Sequence, residues 1–246
     1  MAQVSVYPDA RSLAEAAAGH VAALAGQAIA ARGRFALALA GGSTPRPLYE
    51  RLAAPPYAGA IDWAKVQVFF GDERCVPPED PRSNYAMAKG ALLERVPIPG
   101  ANVHRMRGED EPERAARGYE GVLERVLGAA PLDLVLLGMG ENGHTASLFP
   151  GSALLGEARR RVAAEYVREL AMWRVTLTPV AINAARHVAF LVSGAAKAPM
   201  LAQVLEGPRD PARLPAQIVQ PAGELRWLVD AAAAARLRQG GALSLN

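Results

Sequence analysis

The chain has 246 residues, of which 51% are hydrophobic, and its formal net charge is +3. This composition excludes a disordered protein and predicts an aliphatic globular core, in one large α/β domain or two small ones. A single cysteine excludes an internal disulfide and favours a reducing compartment, so we expect a cytoplasmic protein. No apolar run is long enough to span a membrane, and the dispersed basic residues give little support to nucleic acid binding, so we expect neither a membrane nor a nucleic acid partner.

Apolar runs and helical patterns alternate along the chain, and several apolar runs are nearly unbroken, as in strands that are buried on both faces of a parallel sheet. The first helical pattern follows Asp9, a residue type that commonly caps helix N-termini. The alternation predicts an α/β fold, a mainly parallel sheet with helices on both faces, in a single domain over residues 1–246. Strands are expected over residues 3–7, 35–40, 66–70, 103–106, 132–137, 161–167, 173–177, 187–192 and 225–229, and helices over residues 10–32, 46–52, 83–93, 111–127, 179–185, 196–205 and 231–238.

The apolar run from residue 132 ends in a turn that contains Gly138, Gly140 and Gly143 and then presents His144. Ligands of open α/β sheets bind at the carboxyl ends of the strands, and histidine is the side chain whose ordinary pKa lies near neutrality. His144 is therefore the strongest candidate for chemistry. The three glycines also match a dinucleotide fingerprint, and residues 138–145 match a P-loop without its lysine. We reject both, because Pro150 interrupts the long helix that the first requires and the second lacks its charge.

Three further strand-to-loop junctions carry polar groups, at residues 41–44, 71–74 and 193–197. If their strands are parallel, these junctions and the glycine turn share one edge of the sheet. Helices that follow three of the four junctions would favour an anion, with charge added by Arg74 and Lys197. The alternative is that the glycines merely end strands and the charges are solvated. Four such junctions together favour a phosphate site.

The remaining candidate groups indicate structural roles. Histidines in helical or strand-like runs are more commonly structural than catalytic, and no spacing of His, Cys, Asp or Glu resembles a metal site. The Gly-x-Ser-x-Gly nucleophile elbow is missing from the sequence. We therefore expect packing or structural roles for His20, His104, His187 and Cys75, and no covalent nucleophile at Ser43 or Ser147.

Several segments resemble the 6-phosphogluconolactonases. They are residues 39–45 (LAGGSTP), 70–77 (FGDERCVP) with 83–85 (SNY), 138–150, 193–197 and 215–219, so the resemblance covers most of the chain. The HTASLFP run at residues 144–150 is the most specific of them. The related glucosamine-6-phosphate deaminases share the glycine turns but differ after Asp-Glu, where this chain has Arg74, and after the histidine.

The resemblance implies a Rossmann-like α/β fold and hydrolysis of 6-phospho-D-glucono-1,5-lactone, the second step of the oxidative pentose phosphate pathway. It implies no metal and no organic cofactor. We expect a small-molecule sugar-phosphate lactone as partner, and a monomer or weak homo-oligomer. By motif, His144 is the general base, and Arg74 and Lys197 bind the phosphate. The loop of Gly41, Gly42, Ser43 and Thr44 closes the pocket, and Gly140, Glu141 and Arg174 complete the expected substrate contacts.

One position departs from the resemblance. Family members commonly have aspartate two residues before the histidine, where this chain has Asn142. An amide can orient the imidazole through a hydrogen bond but cannot stabilise an imidazolium by charge, so that burden would fall on Asp72 or Glu141. The rival readings are a glucosamine-6-phosphate deaminase, with Asp72 as the base and His144 opening the ring, and a sugar-phosphate sensor that binds without turnover.

Overall fold

A computed structural model of the chain describes residues 3–238 and the backbone of residues 243–245. The described strands are β1 (Gln3–Tyr7), β2 (Phe35–Leu39), β3 (Val66–Phe70), β4 (Asp72–Arg74), β5 (Leu134–Gly138), β6 (Val162–Val167), β7 (Met172–Leu177), β8 (His187–Val192), β9 (Glu224–Asp230) and β10 (Leu243–Leu245). The main sheet has seven of them in the order β10-β1-β9-β8-β5-β2-β3, and every pairing in this sheet is parallel. A second sheet has three antiparallel strands in the order β4-β7-β6.

Both faces of the main sheet are buried, because neighbouring residues along a strand enter different hydrophobic clusters. In β2, Ala36 and Ala38 belong to one cluster, while Phe35, Leu37 and Leu39 belong to the other. The described helices are α1 (Ala10–Arg32), α2 (Arg46–Leu52), α3 (Tyr57–Ala60), α4 (Asn84–Ala88), α5 (Pro112–Leu127), α6 (Pro179–Ala184), α7 (Ala198–Glu206) and α8 (Ala231–Ala234). Helices α1 and α2 pack on the face of Leu37, and α5, α6, α7 and the small sheet pack on the face of Ala36.

The predicted fold class, a Rossmann-like mainly parallel sheet with helices on both faces, is confirmed. The start of α1 is also as predicted, since Asp9 accepts a hydrogen bond from the backbone N–H of Ser12 at 2.7 Å. The helix ends at Gly33, whose φ of 72° lies in the left-handed region that glycine tolerates.

The segment 103–106 is not the predicted strand. It contributes one isolated bridge, Val103 to Val68, because the chain turns back at once: Arg105 pairs with Glu109 and Arg107 pairs with Asp110. Smaller differences concern the ends of elements. The helix predicted over 83–93 becomes π-helical after Ala88, a short helix α3 lies in the predicted loop 54–59, and the last helix ends at Ala234.

The topology places the four predicted junctions together. β2, β3, β5 and β8 are adjacent and parallel, so their carboxyl ends meet at one edge. The chain runs from β2 outward to β3 and later returns to the other side of β2 as β5. A crevice at such a switch point is where open α/β sheets bind ligands.

Candidate active site

A cavity of about 220 Å³ lies at this edge, above the ends of β2 and β5. Most of the residues predicted from the sequence line it. Asn142 and Glu141 do not: Asn142 contacts the far side of the His144 ring, and Glu141 is exposed at the rim, with Oε1 3.9 Å from Nζ of Lys197. The predicted residues that line the cavity are Gly41, Gly42, Ser43, Thr44, Asp72, Arg74, Gly140, His144, Arg174 and Lys197.

The ring of His144 is held in one orientation and one tautomer. Oδ1 of Asn142 lies 2.6 Å from Nδ1 of the ring and also accepts the backbone N–H of His144 at 3.2 Å. Because the backbone N–H can only donate, the atom of Asn142 that faces it must be the amide oxygen. That oxygen can only accept, so Nδ1 must carry the ring proton and donate it. The lone pair is therefore on Nε2. On its face, the ring stacks against Phe149 with a centroid separation of 4.2 Å.

Burial lowers the pKa of His144 from 6.5 to about 4. Asp72 acts in the opposite direction and raises it, while Arg174, Lys197 and Arg74 lower it further. The imidazole is consequently neutral near pH 7 and able to accept a proton.

Asp72 is buried and fixed by three side chains. Its Oδ2 accepts the hydroxyl of Ser147 at 2.6 Å and lies 3.5 Å from Nη1 of Arg174, and its Oδ1 accepts Nδ2 of Asn84 at 3.0 Å. A carboxylate held in this way has no freedom to swing toward solvent.

Strand pairing places two arginines side by side in the cavity wall. β4 and β7 are antiparallel with Arg74 directly opposite Arg174, an arrangement that like charges disfavour. Arg174 is 8% exposed, and burial lowers the pKa of its guanidinium. The Nε atoms of both arginines are buried and donate to no residue that the structure describes. With Lys197 they make three cations against the single carboxylate of Asp72, so the cavity favours an anion.

Two glycines of the predicted motifs are required by close contacts. A Cβ on Gly140 would lie 2.1 Å from Nδ1 of His144, and a Cβ on Gly41 would lie 2.0 Å from Oδ1 of Asn84. Only glycine lets the two loops approach these side chains.

The sequence did not single out three residues that the structure brings to this site: Asn84 and Ala146 line the cavity, and Ser147 binds Asp72. Ala146 has a φ of 47°, a conformation that residues other than glycine seldom adopt. Asn84 and Ser147 lie inside segments that carry the resemblance, and this was the only signal that could have found them.

One expectation about the backbone is wrong. Only the junctions at 41–44 and 193–197 lead directly into helices, because residues 72–74 continue as a strand and the glycine turn closes on itself. Within that turn, the backbone N–H groups of Gly140, Gly143 and His144 donate hydrogen bonds to residues of the turn itself.

The described residues contain no group of three or more His, Cys, Asp or Glu side chains that could hold a metal ion. The other histidines make structural contacts. Nε2 of His104 is 2.8 Å from Oε1 of Gln67, and Nδ1 of His187 is 3.1 Å from Oε2 of Glu224. Within residues 3–238 and 243–245, no helix is long and apolar enough to cross a membrane.

Comparison with known proteins agrees with the resemblance. The model of the family described as glucosamine-6-phosphate isomerases/6-phosphogluconolactonase matches residues 8–227. The chain belongs to this family. It is 44% identical over 240 residues to a 6-phosphogluconolactonase of Nostoc sp., a match that covers 95% of this chain and 98% of that protein. With a 6-phosphogluconolactonase of Synechocystis sp. it is 42% identical over 242 residues, which covers 96% and 98% of the two chains.

A solved structure leads to the same family. The 6-phosphogluconolactonase from Trypanosoma cruzi superposes with a TM-score of 0.86 at 29% identity, covering 96% of this chain and 97% of its own. The family includes isomerases of an amino sugar phosphate as well as lactonases, so the choice of reaction rests on the site.

Proposed function

We propose that the protein hydrolyses 6-phospho-D-glucono-1,5-lactone to 6-phospho-D-gluconate, in the oxidative pentose phosphate pathway. The observation that carries this proposal is a neutral histidine, with Nε2 free, in one cavity with a buried pair of arginines and a lysine. A base and an anion site are what a phosphorylated lactone needs. The similar proteins of Nostoc sp. and Synechocystis sp. are named for this activity.

In the proposed reaction, Nε2 of His144 takes a proton from a water molecule as that water attacks C1 of the lactone. The tetrahedral intermediate then collapses, the bond between C1 and the ring oxygen breaks, and the imidazolium returns a proton to that oxygen. A lactone is an activated ester, so neither a covalent nucleophile nor a cofactor is required. General base catalysis of this kind contributes about 10²–10⁴-fold.

Asn142 and Asp72 assist the base, His144, in two different ways. The amide of Asn142 holds the tautomer, and the carboxylate of Asp72 supplies the negative charge that stabilises the imidazolium. Glu141 is a poorer source of charge, since its side chain is 69% exposed and faces Lys197. Asp72 therefore supplies the negative charge that the amide of Asn142 lacks.

The phosphate of the substrate binds to Arg74, Arg174 and Lys197, with the 41–44 loop closing over it. These three cations lower the pKa of His144, and a bound dianion offsets them. Substrate binding thus raises the basicity of His144 at the moment when a base is needed. We extend the proposal to a cytoplasmic monomer or weak homo-oligomer, consistent with a single, half-buried cysteine.

The test generates the lactone in place by enzymatic oxidation of glucose 6-phosphate and follows its disappearance with and without the protein. The expected result is a rate well above spontaneous hydrolysis. Glucosamine 6-phosphate is assayed in parallel, with ammonia as the readout. Ammonia release without lactone hydrolysis would establish the deaminase instead, and 6-phosphogluconate binding without either reaction would establish a sensor.

A further inference from the structure

Glu73 lies between two residues of the cavity wall, Asp72 and Arg74, but it is 2% exposed and does not line the cavity. Successive side chains of a strand point to opposite faces, so Glu73 faces the chain behind β4. Its Oε1 accepts the backbone N–H groups of Arg74 at 2.8 Å and of Asn84 at 2.7 Å. Its Oε2 accepts the hydroxyl of Ser83 at 2.9 Å and the backbone N–H of Tyr85 at 2.8 Å.

All four donors are neutral, so hydrogen bonds, and not an ion pair, stabilise this buried carboxylate. Burial raises the pKa of Glu73, and the four bonds oppose that shift. A group that accepts at both oxygens matches the three backbone N–H groups, whereas the NH₂ of a glutamine would face at least one of them as a further donor, because only the Ser83 hydroxyl can reverse its role. The geometry thus favours a carboxylate over an amide at this position.

The four bonds connect the cavity wall to the start of α4. Through the backbone of Asn84 they fix a side chain whose Nδ2 donates to the carbonyl of Asp72 at 2.9 Å and to its carboxylate at 3.0 Å. Through the backbone of Arg74 they fix the strand end that carries one of the phosphate-binding guanidiniums. Nη1 of Arg74 also donates to the carbonyl of Arg82, in the same segment.

We propose that Glu73 is a positioning residue for the reaction: it holds Asp72, through Asn84, and Arg74 in the geometry that catalysis and phosphate binding require. The proposal rests on the proposed function for its kinetic readout. Glu73 itself contacts neither the cavity nor the substrate.

Glu73→Gln should retain the fold but set the NH₂ of its amide against at least one backbone N–H group, which turns an attractive contact into a repulsive one. Displacement of catalytic groups by about 1 Å commonly costs about 10²-fold, so we expect kcat/KM to fall by about 10–100-fold, with kcat reduced and KM raised. The substitution should also weaken the binding of inorganic phosphate, followed by ³¹P NMR titration, which requires no turnover.

Ser83→Ala is the matched control. It removes one donor to Glu73 and the side-chain cap of α4, a hydroxyl that accepts the N–H of Ala86 at 3.1 Å, so it lowers the melting temperature. It leaves the bonds to Arg74 and Asn84 in place, and therefore kcat, KM and phosphate affinity should change by less than about twofold. If Glu73→Gln lowers the melting temperature but leaves kinetics and phosphate affinity like those of Ser83→Ala, the role is only structural and the proposal is wrong.

A double-mutant comparison tests whether Glu73 positions Asp72 through Asn84. The loss in kcat caused by Glu73→Gln should be smaller in an Asn84→Ala background than in the wild type. An equal loss in both backgrounds would show that Glu73 does not act through Asn84. If Glu73→Gln does not fold, Glu73→Asp takes its place in the experiment. Aspartate keeps the carboxylate, but its side chain is one methylene shorter, so the carboxylate lies farther from the four donors. If the wild-type protein hydrolyses no lactone, the proposed function fails, and the phosphate titration alone decides whether Glu73 positions Arg74.

Discussion

Two aspartates of nearly equal burial lie at opposite ends of the parallel strands and have very different neighbours. We call these two ends the amino edge and the carboxyl edge of the main sheet. Asp133, at the amino ends of the strands, has a side chain that is 7% exposed, and Asp72, at the carboxyl ends, one that is 8% exposed. Asp133 is 2.7 Å from Nη2 of Arg32 and 3.4 Å from Nε of Arg186, and it also accepts the N–H of Ala36 at 2.9 Å. Asp72 is bound mainly by neutral groups, and its nearest cation is 3.5 Å away.

The difference lies in how the charges are compensated. At the amino edge, Arg226 and His187 both pair with Glu224, much as the two arginines pair with Asp133. At the carboxyl edge, cations outnumber carboxylates and two guanidinium nitrogens stay without acceptors in the described structure. The arginines at the amino edge also outnumber Asp133, but they pair with it and are 38% and 41% exposed, so solvent screens the excess charge, whereas the carboxyl edge holds buried guanidinium nitrogens that a ligand could engage. The predictions below test that distinction, beginning with the largest expected effect.

Removal of the proposed base should have the largest effect. His144→Ala is expected to lower kcat by at least about 10²-fold, while KM changes only a few-fold because the three cations remain. Steady-state rates on lactone generated in place measure both constants. His104→Gln is the control, a histidine with a structural partner outside the cavity, and its kcat should be unchanged. Near-normal turnover in His144→Ala would remove the basis of the mechanism.

Loss of a phosphate ligand should come second. Arg74→Gln and Lys197→Met are each expected to raise KM by about 10–100-fold, since a hydrogen bond to a charged group contributes about 1.5–3 kcal/mol. Arg32→Gln provides the comparison at the amino edge, where the guanidinium pairs with Asp133, and should leave KM unaltered. If KM were unchanged in both cavity variants, the phosphate would have to bind elsewhere.

The sequence was sufficient for the fold class and for the convergence of the loops. Unbroken apolar runs such as Phe35–Leu39 indicate burial on both faces and hence a parallel sheet. Parallel strands bring their carboxyl ends together, so the pattern predicted that the glycine loops, Arg74 and His144 share one edge, although the order of the strands had to come from the structure. The pairing of Arg74 with Arg174 across two strands could not be predicted from the sequence pattern. It depends on β4, a three-residue strand that is too short to produce a periodicity, and on its register with β7.

The roles of neutral residues were equally inaccessible to pattern. Ser147 and Asn84 bind Asp72 from 75 and 12 positions away along the chain, respectively, and nothing in their local sequence specifies that partner. The same holds for Glu73, whose four donors depend on how the start of α4 packs behind β4. The tautomer of His144 required the coordinates of both donors that face Oδ1 of Asn142.

Disruption of the Asp133 cluster should affect stability and not catalysis. Asp133→Asn exchanges a carboxylate for an amide whose NH₂ repels one of the donors, and it is expected to lower the free energy of unfolding by about 1–3 kcal/mol. The partly exposed arginines keep the effect modest, since solvent screens their charge. Urea unfolding measures the loss. A change in KM with an unaltered unfolding midpoint would show that the amino edge takes part in binding.

Restoring a carboxylate beside the base should have the smallest effect and is the most informative about mechanism. Asn142→Asp places a negative charge next to Nδ1 of His144 and should raise its pKa from about 4 by about one unit. The base works when neutral, so the acid limb of kcat/KM should move to higher pH and activity should be lost earlier on acidification. At pH 7, kcat should change by less than about tenfold, the equivalent of one pKa unit.

The phosphate of the substrate titrates near pH 6, which complicates any single profile. Asn102→Asp is therefore the control, since it makes the same chemical change at a side chain that donates to the carbonyl of Ala64, outside the cavity. Substrate ionisation is common to wild type, variant and control, so a shift confined to Asn142→Asp belongs to His144. If the profile does not move, Asp72 already compensates the imidazolium in full. If it moves downward, the residue at position 142 does not act through the imidazole.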